Sequence, residues 1–469
     1  MMRTEAQFGS EQASGLTFHR AFIDHTRCPD SFAKQIECSV EVGAEGFFRL
    51  GNMRLYGCTS GGQIYPTCTD DLPRIDDLIV KDGSIRLPFN PTEIIDNLRE
   101  EKYVAAVHGE KDYIADNKSL VRRLYYSLRP LFPVRFRRIL QQIALQDWTT
   151  IPFPAWPIDS TVEDFINWLF VIALDVSGEK EIPFIWFWPK GYTACAVMTH
   201  DVETGEGQDF CQAMLEMERE YGVKSAFELV PEVRYVVSER IMNAIREAGS
   251  EVCIHGLNHD GRLFSCEEIF RERAVAINQY AQKWGAKGFR SPVMYRNQVW
   301  YDAFKFSYDM SVPNVAHLDP QRGGCCTIFP FFIGEILELP LTTIQDYALY
   351  NFLRCDPLAM WARQMESIVA KHGLVSFIVH PDYTMGRKKT SLYRQLLGLL
   401  RKMADQKNVW LALPGEVDKW WRERREMTLV RRNGNWSIDG RNLQQAVLAY
   451  ARRENGKLTY RFANAPEEL

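Results

Sequence analysis

The chain has 469 residues, is 46% apolar, and carries 56 basic and 60 acidic residues for a formal net charge of −4. That apolar content argues for a large core and against disorder, and the length exceeds one ordinary domain. The even charge balance leaves no electrostatic footprint for nucleic acid.

The opening MMRTEAQFGSEQ has no basic segment followed by an apolar run, so no secretory signal is legible. The longest apolar stretch, residues 165–174, is interrupted by Asn167 and closed by Asp175. A spanning helix needs about 20 such residues, so a soluble, cytoplasmic protein is expected. Eleven cysteines are scattered without a CxxC pair, and Cys325 and Cys326 are adjacent. This is the pattern of buried, reduced thiols.

Residues 1–95 read as a β-rich accessory domain, with alternating segments at 38–42 and 53–57 punctuated by Gly61-Gly62 and Asp70-Asp71-Leu72-Pro73. Residues 96–190 read as a helical connector and strap, its helices opening at Asn90-Pro91-Thr92-Glu93. Within it, residues 119–142 interleave Arg122, Arg123, Arg129, Arg135, Arg137 and Arg138 with Leu, Tyr and Phe. Such a pattern fits a helix lying on an anionic membrane surface. It also fits two helices split at Pro130 and Pro133 whose Arg stems cover apolar surface. The second reading is preferred because the chain shows no further membrane signal, which leaves peripheral contact at most. Pro152 to Pro157 form a rigid strap, a helix is expected over 161–174, and IPFIWFW at 182–188 reads as an apolar strand whose aromatics suit a core or sugar stacking.

From 191 to 424 the pattern becomes regular. Apolar strands at 194–199, 224–229, 251–255, 286–290, 308–312, 336–339, 374–380 and 408–413 are mostly separated by helical stretches. Such alternation means a parallel sheet, and this strand number suits a (β/α) barrel. Residues 425–469 form a short C-terminal β/α tail: a hairpin around Asn433-Gly434, a helix at 444–453 and a strand at 458–462.

Function in such folds sits at the carboxyl ends of the strands. Those ends carry Thr199-His200-Asp201-Val202-Glu203, then His255-Gly256-Leu257-Asn258-His259-Asp260, Arg290-Ser291-Pro292, Asp309-Met310-Ser311 and His380-Pro381-Asp382. Asp201 and Glu203 are two apart, so on extended chain they face the same way. His255 and His259 are four apart and can meet one metal from a helix or tight loop. Imidazole and carboxylate ligands suit Zn²⁺, among other first-row divalent ions.

This set resembles the polysaccharide deacetylase family, carbohydrate esterase family 4, over residues 191–415. The first motif is similar to Thr199–Glu203, the second matches His255 and His259, the third Arg290-Ser291-Pro292, the fourth more loosely Asp309-Met310-Ser311, and the fifth Val379-His380. The resemblance implies a distorted (β/α) barrel that removes N- or O-linked acetyl groups from a glycan or glycan precursor with one divalent metal, zinc first. It assigns the metal to His255, His259 and Glu203, and the general base to Asp201. The proton donor is His380 and the oxyanion donor the backbone N–H of Val293. Arg290 is implied as the orienter of Asp201, and Asp309 as that of His380. The family carries Asp where this chain has Glu203. An ungapped alignment would instead place Val202 there, which cannot ligate, so the reading with Glu203 is preferred. Two alternatives stay open: hydrolysis of a small non-sugar amide, and a catalytically inactive glycan-binding or polysaccharide-assembly protein.

Overall fold

The computed structural model describes residues 19–39, 45–81, 84–108, 147–353 and 355–463. The Arg-rich segment 119–142 lies outside them. Among the described residues no helix is long and apolar enough to cross a membrane.

The apolar runs between 194 and 411 become a nine-stranded sheet. Its strands are β1 (Ala194–Val202), β2 (Ser225–Leu229), β3 (Glu251–His255), β4 (Gly288–Arg290), β5 (Tyr308–Asp309), β6 (Phe331–Ile333), β7 (Ile336–Glu338), β8 (Leu374–Ile378) and β9 (Val409–Leu411). The spatial order is β6-β7-β5-β4-β3-β2-β1-β8, with β9 paired to the start of β1. Every pairing is parallel except β6 with β7. Parallel neighbours need crossovers, and the helices Gly205–Tyr221, Glu239–Glu247, Glu267–Trp284, Pro357–Ala370 and Arg387–Lys407 supply them. All nine residues of β1 are buried, as expected of a parallel strand covered on both faces.

The sheet curls back on itself. Past β7, Thr343 N donates to Ser376 O of β8 at 3.2 Å and Thr342 Oγ1 to Leu374 O at 2.7 Å. This α/β architecture with a curled, mostly parallel sheet matches the expected class. The eight expected strands are present. The antiparallel β6 is additional; its three residues are too short to show a period.

Before the sheet, residues 36–38, 80–81 and 85–87 pair as one small sheet and 46–50 with 53–57 as a hairpin. Asn90 caps helix Pro91–Arg99, its side chain accepting from Thr92 N and Glu93 N. Helix Thr161–Ser177 buries Phe165 and Phe170. Those rings meet Phe89 at 5.8 Å and Phe22 at 5.0 Å between centroids, so the N-terminal apolar residues and the helix share one core.

The tail corrects one expectation. Residues 444–453 do not form a helix. Leu448–Glu454 is a strand, antiparallel to Lys457–Phe462 and to Glu181–Ile185. Its buried residues alternate, with Ala449 and Ala451 inward. That period of two reads as strand once a partner edge exists, and pairing outweighs the helix preference of Ala and Arg.

Candidate active site

At the carboxyl edge of the sheet, strand alternation sorts the end of β1. Asp201 faces the site. His200 faces away, its Nδ1 donating to Val379 O at 2.7 Å and its Nε2 meeting Glu218 Oε1 at 2.6 Å. Glu203 follows on the Asp201 side, its backbone N donating to Asp382 Oδ2 at 3.1 Å. Asp382 also accepts from Thr204 Oγ1, so it ties the loop after β1 to the loop after β8. The residue facing Asp382 is Gly207, where any side chain would strike that carboxylate.

β3 delivers His255, and Gly256 turns the chain at φ +61. A Cβ there would lie 2.5 Å from Pro292 Cγ, so the two loops approach this closely only with glycine. His259 returns toward Glu203 with its own φ at +54. Its Nε2 is 3.0 Å from Glu203 Oε1, without the alignment of a hydrogen bond. His255 Nδ1 donates to Arg290 O at 3.2 Å, which fixes the tautomer and leaves Nε2 a free lone pair. That Nε2 is buried, makes no hydrogen bond, and lies 3.7 Å from Asp201 Oδ2.

Glu203, His255 and His259 therefore converge, their ligand atoms all within 4.8 Å of one another. Two buried imidazole nitrogens without hydrogen bonds and one carboxylate oxygen form a donor set that fits a divalent ion such as zinc. The Glu203 side chain is 18% exposed against 7% for His259 and 1% for His255, so the cluster opens to solvent on the Glu203 side. A second group, Glu45, Cys58 and Glu93, contains no histidine and is more exposed.

Arg290 is fully buried. Its Nη1 donates to Asp201 Oδ1 at 2.9 Å and to Thr199 Oγ1 at 2.6 Å, and its Nε to Met310 O at 2.9 Å. Burial alone would push the Asp201 carboxyl up, but His255, Arg290 and His380 outweigh it and hold it below its ordinary value. Glu203 behaves likewise: burial raises it, while His259, His380 and His255 draw it well down. His255 is pushed down to about 4, chiefly by burial, and is neutral as a ligand must be. Around Arg290, the buried Glu228, Asp309 and Glu338 are raised mainly by burial. Of these, Glu228 Oε2 lies 3.8 Å from Arg290 Nη1, whereas Asp201 Oδ1 at 2.9 Å is hydrogen-bonded to it. Arg290→Met is expected to destabilise the fold by up to about 3–5 kcal/mol, because it leaves the Asp201 carboxylate buried without its hydrogen-bonded cation. Urea denaturation measures it.

His380 is where the expectation changes. Its Nδ1 donates to Asp346 Oδ1 at 2.6 Å and its backbone N to Asp346 Oδ2 at 2.9 Å. Its Nε2 faces Glu203 Oε1 at 3.8 Å and Asp201 Oδ2 at 4.0 Å. Burial lowers the imidazole, but the charge and hydrogen bond of Asp346, then Glu203 and Asp201, raise it to about 10. The orienting carboxylate is Asp346 and not Asp309. Asp309 accepts from Ser311 Oγ at 2.6 Å, and Glu338 lies beside it, which places it in the layer around Arg290. Asp346 opens helix Asp346–Asn351, beyond the end of β7 and inside no recurrent spacing. Val293 sits on the turn after Arg290-Ser291-Pro292 with φ +64, an outlier for a β-branched residue.

The fold and site define an α/β protein with a two-histidine, one-carboxylate cluster, half-buried at the carboxyl edge of a curled sheet, flanked by an Arg-held aspartate and an Asp-held histidine. No family model and no curated protein matches the chain. Among solved structures it is similar to a polysaccharide deacetylase-like protein from Mycobacterium smegmatis, at 17% identity over 52% of this chain and 96% of that one, with a TM-score of 0.41. A family 4 acetyl xylan esterase from Clostridium thermocellum, solved with a cobalt ion, matches at 12% identity over 48% and 91%, TM-score 0.32. A carbohydrate esterase family 4 pseudoenzyme from Bacillus anthracis matches at 17% identity over 48% and 65%, TM-score 0.29. Such distant likenesses include both an esterase and a pseudoenzyme, so the residues of the site carry the functional reading.

Proposed function

We propose that this chain is a metal-dependent hydrolase that removes acetyl groups, N- or O-linked, from a glycan or glycan precursor. One observation carries the reading: the donor cluster of His255, His259 and Glu203 lies within 4.0 Å of both an anionic Asp201 and a proton-bearing His380. An ion held by those three residues would supply Lewis acidity toward water and the acyl oxygen.

The chain's own groups divide the proton work. Asp201 is ionised and fixed by Arg290, so it accepts the proton of the attacking water. His380 is protonated through Asp346 and gives its Nε2 proton to the leaving nitrogen or oxygen. The two groups have values pushed apart by their surroundings, the condition for one to act as base and the other as acid. The Val293 N–H, on its left-handed turn, is assigned to the developing oxyanion. Acetate and the free amine or alcohol are the products.

Acetate release from N- and O-acetylated sugars tests this directly. The zinc-supplied protein is expected to release acetate, to stop on chelation and to recover with Zn²⁺ or Co²⁺. A metal-loaded, folded protein that releases none from any acetylated sugar contradicts the proposal, and release only from non-sugar amides shifts it to a small-amide hydrolase.

A further inference from the structure

A second cavity lies at the other end of the sheet. Its volume is about 360 Å³, and it is bounded by the N-terminal helix, helix Thr161–Ser177, the segment before β8 and the C-terminal hairpin. That volume suits a small molecule. His372 lines it, whereas His380 belongs to the candidate active site. The five-residue strand β8 runs between the two, roughly 16 Å at ~3.3 Å per residue.

One wall is aromatic. Tyr460 is its half-buried ring, backed by Phe187 and Phe329, which lie 4.7 Å apart between centroids and are themselves buried. Phe187 belongs to the apolar run at 182–188 whose aromatics the sequence left open between core and sugar stacking. Two lining side chains are buried with an unpaired atom. Glu163 Oε2 and His25 Nδ1 make no hydrogen bond among the described residues, although Glu163 Oε1 accepts from Thr327 Oγ1 and Ile328 N. A buried polar group left unsatisfied is costly, so a ligand that bonds it is favoured. His372 Nδ1 donates to Thr193 O at 3.1 Å, which leaves its Nε2 an acceptor.

Charge narrows the ligand. Burial raises Glu163 to about 7, and burial, reinforced by Arg99 and Arg424, keeps His25 neutral. Lys371, the cation on the lining, is tied to Asp164 at 2.5 Å and to Ser160 at 2.8 Å. The lining therefore offers an aromatic wall with hydrogen-bonding groups spread round it, a carboxyl that titrates about neutrality, and a cation already paired. A flat aromatic ligand presents one polar edge. A sugar ring presents C–H faces for stacking and hydroxyls round its whole rim.

We propose that this cavity is a binding site for one or two uncharged sugar units, distinct from the candidate active site. It rests on the cavity alone and is tested by binding, not by turnover. Saturation-transfer NMR of the full chain with cellobiose, xylobiose and maltose, none of them acetylated and so none a substrate of the candidate active site, reads it out, with glucuronate and phenol as controls. Transfer to at least one neutral disaccharide is expected. Ala370→Trp plugs the exposed rim, and Leu458→Trp closes it from the facing hairpin. Each is expected to weaken binding about tenfold or more with a cooperative melt retained, and either variant suffices if the other does not fold. No transfer from any of the three sugars, transfer that persists in the plugged protein, or transfer from phenol alone overturns the proposal.

Discussion

Asp201→Asn is expected to lower kcat/KM for acetate release by roughly 10²–10⁴-fold, the range for losing a positioned general base. The substitution keeps the size of the side chain and an oxygen for Arg290 Nη1, which donates to Asp201 Oδ1 at 2.9 Å. What it removes is the ability to take a proton. The three donors of the metal cluster are Glu203, His255 and His259, so zinc content should stay as in the parent while the rate collapses. Equal loss of metal and rate would instead make Asp201 a ligand.

Asp346→Asn is the second large effect. Asp346 accepts from both the ring and the backbone of His380, and against burial its charge and hydrogen bond lead Glu203 and Asp201 in raising that imidazole to about 10 from an ordinary 6.5. A proton donor must be protonated, so activity falls as pH rises through its value. Removing the carboxylate lowers that value, and the alkaline limb of the pH–rate profile is expected to move down toward neutrality. Loss of an orienting partner adds a drop of about 10–100-fold in kcat. Stability follows the same sign. A raised folded-state value contributes stability that is fully present below 6.5 and lost as pH rises through about 10. The stability gap between parent and variant should therefore shrink across that window.

The sequence made part of this site legible, for definite reasons. Asp201 and Glu203 are bound by the period of a strand, and His255 and His259 by a spacing of four on one loop, so local geometry predicted each pair, and the family resemblance implied that the two pairs meet. Arg290 was legible because it ends a strand, and that strand lies three places from β1 in the sheet. Asp346 was not. It reaches His380 from a helix start 34 residues away, and nothing local distinguishes it from an ordinary cap. Asp309 had the better credentials by position, at a strand end, yet a two-residue strand behind Arg290 points it into the acid layer. The same limit explains the tail in part. Residues 448–454 pair with Lys457–Phe462 across Asn455-Gly456, a turn signal that was local, and with Glu181–Ile185, more than 260 residues earlier, an edge that no local window contains.

The central claim is that Glu203, in the place where the resembled family carries Asp, completes a metal site with His255 and His259. Zinc titration by calorimetry, on metal-stripped parent and on Glu203→Ala, tests it most directly. One ion per chain is expected for the parent, with affinity falling about tenfold or more in Glu203→Ala. No zinc binding by the folded parent, or equal affinity in the variant, contradicts it.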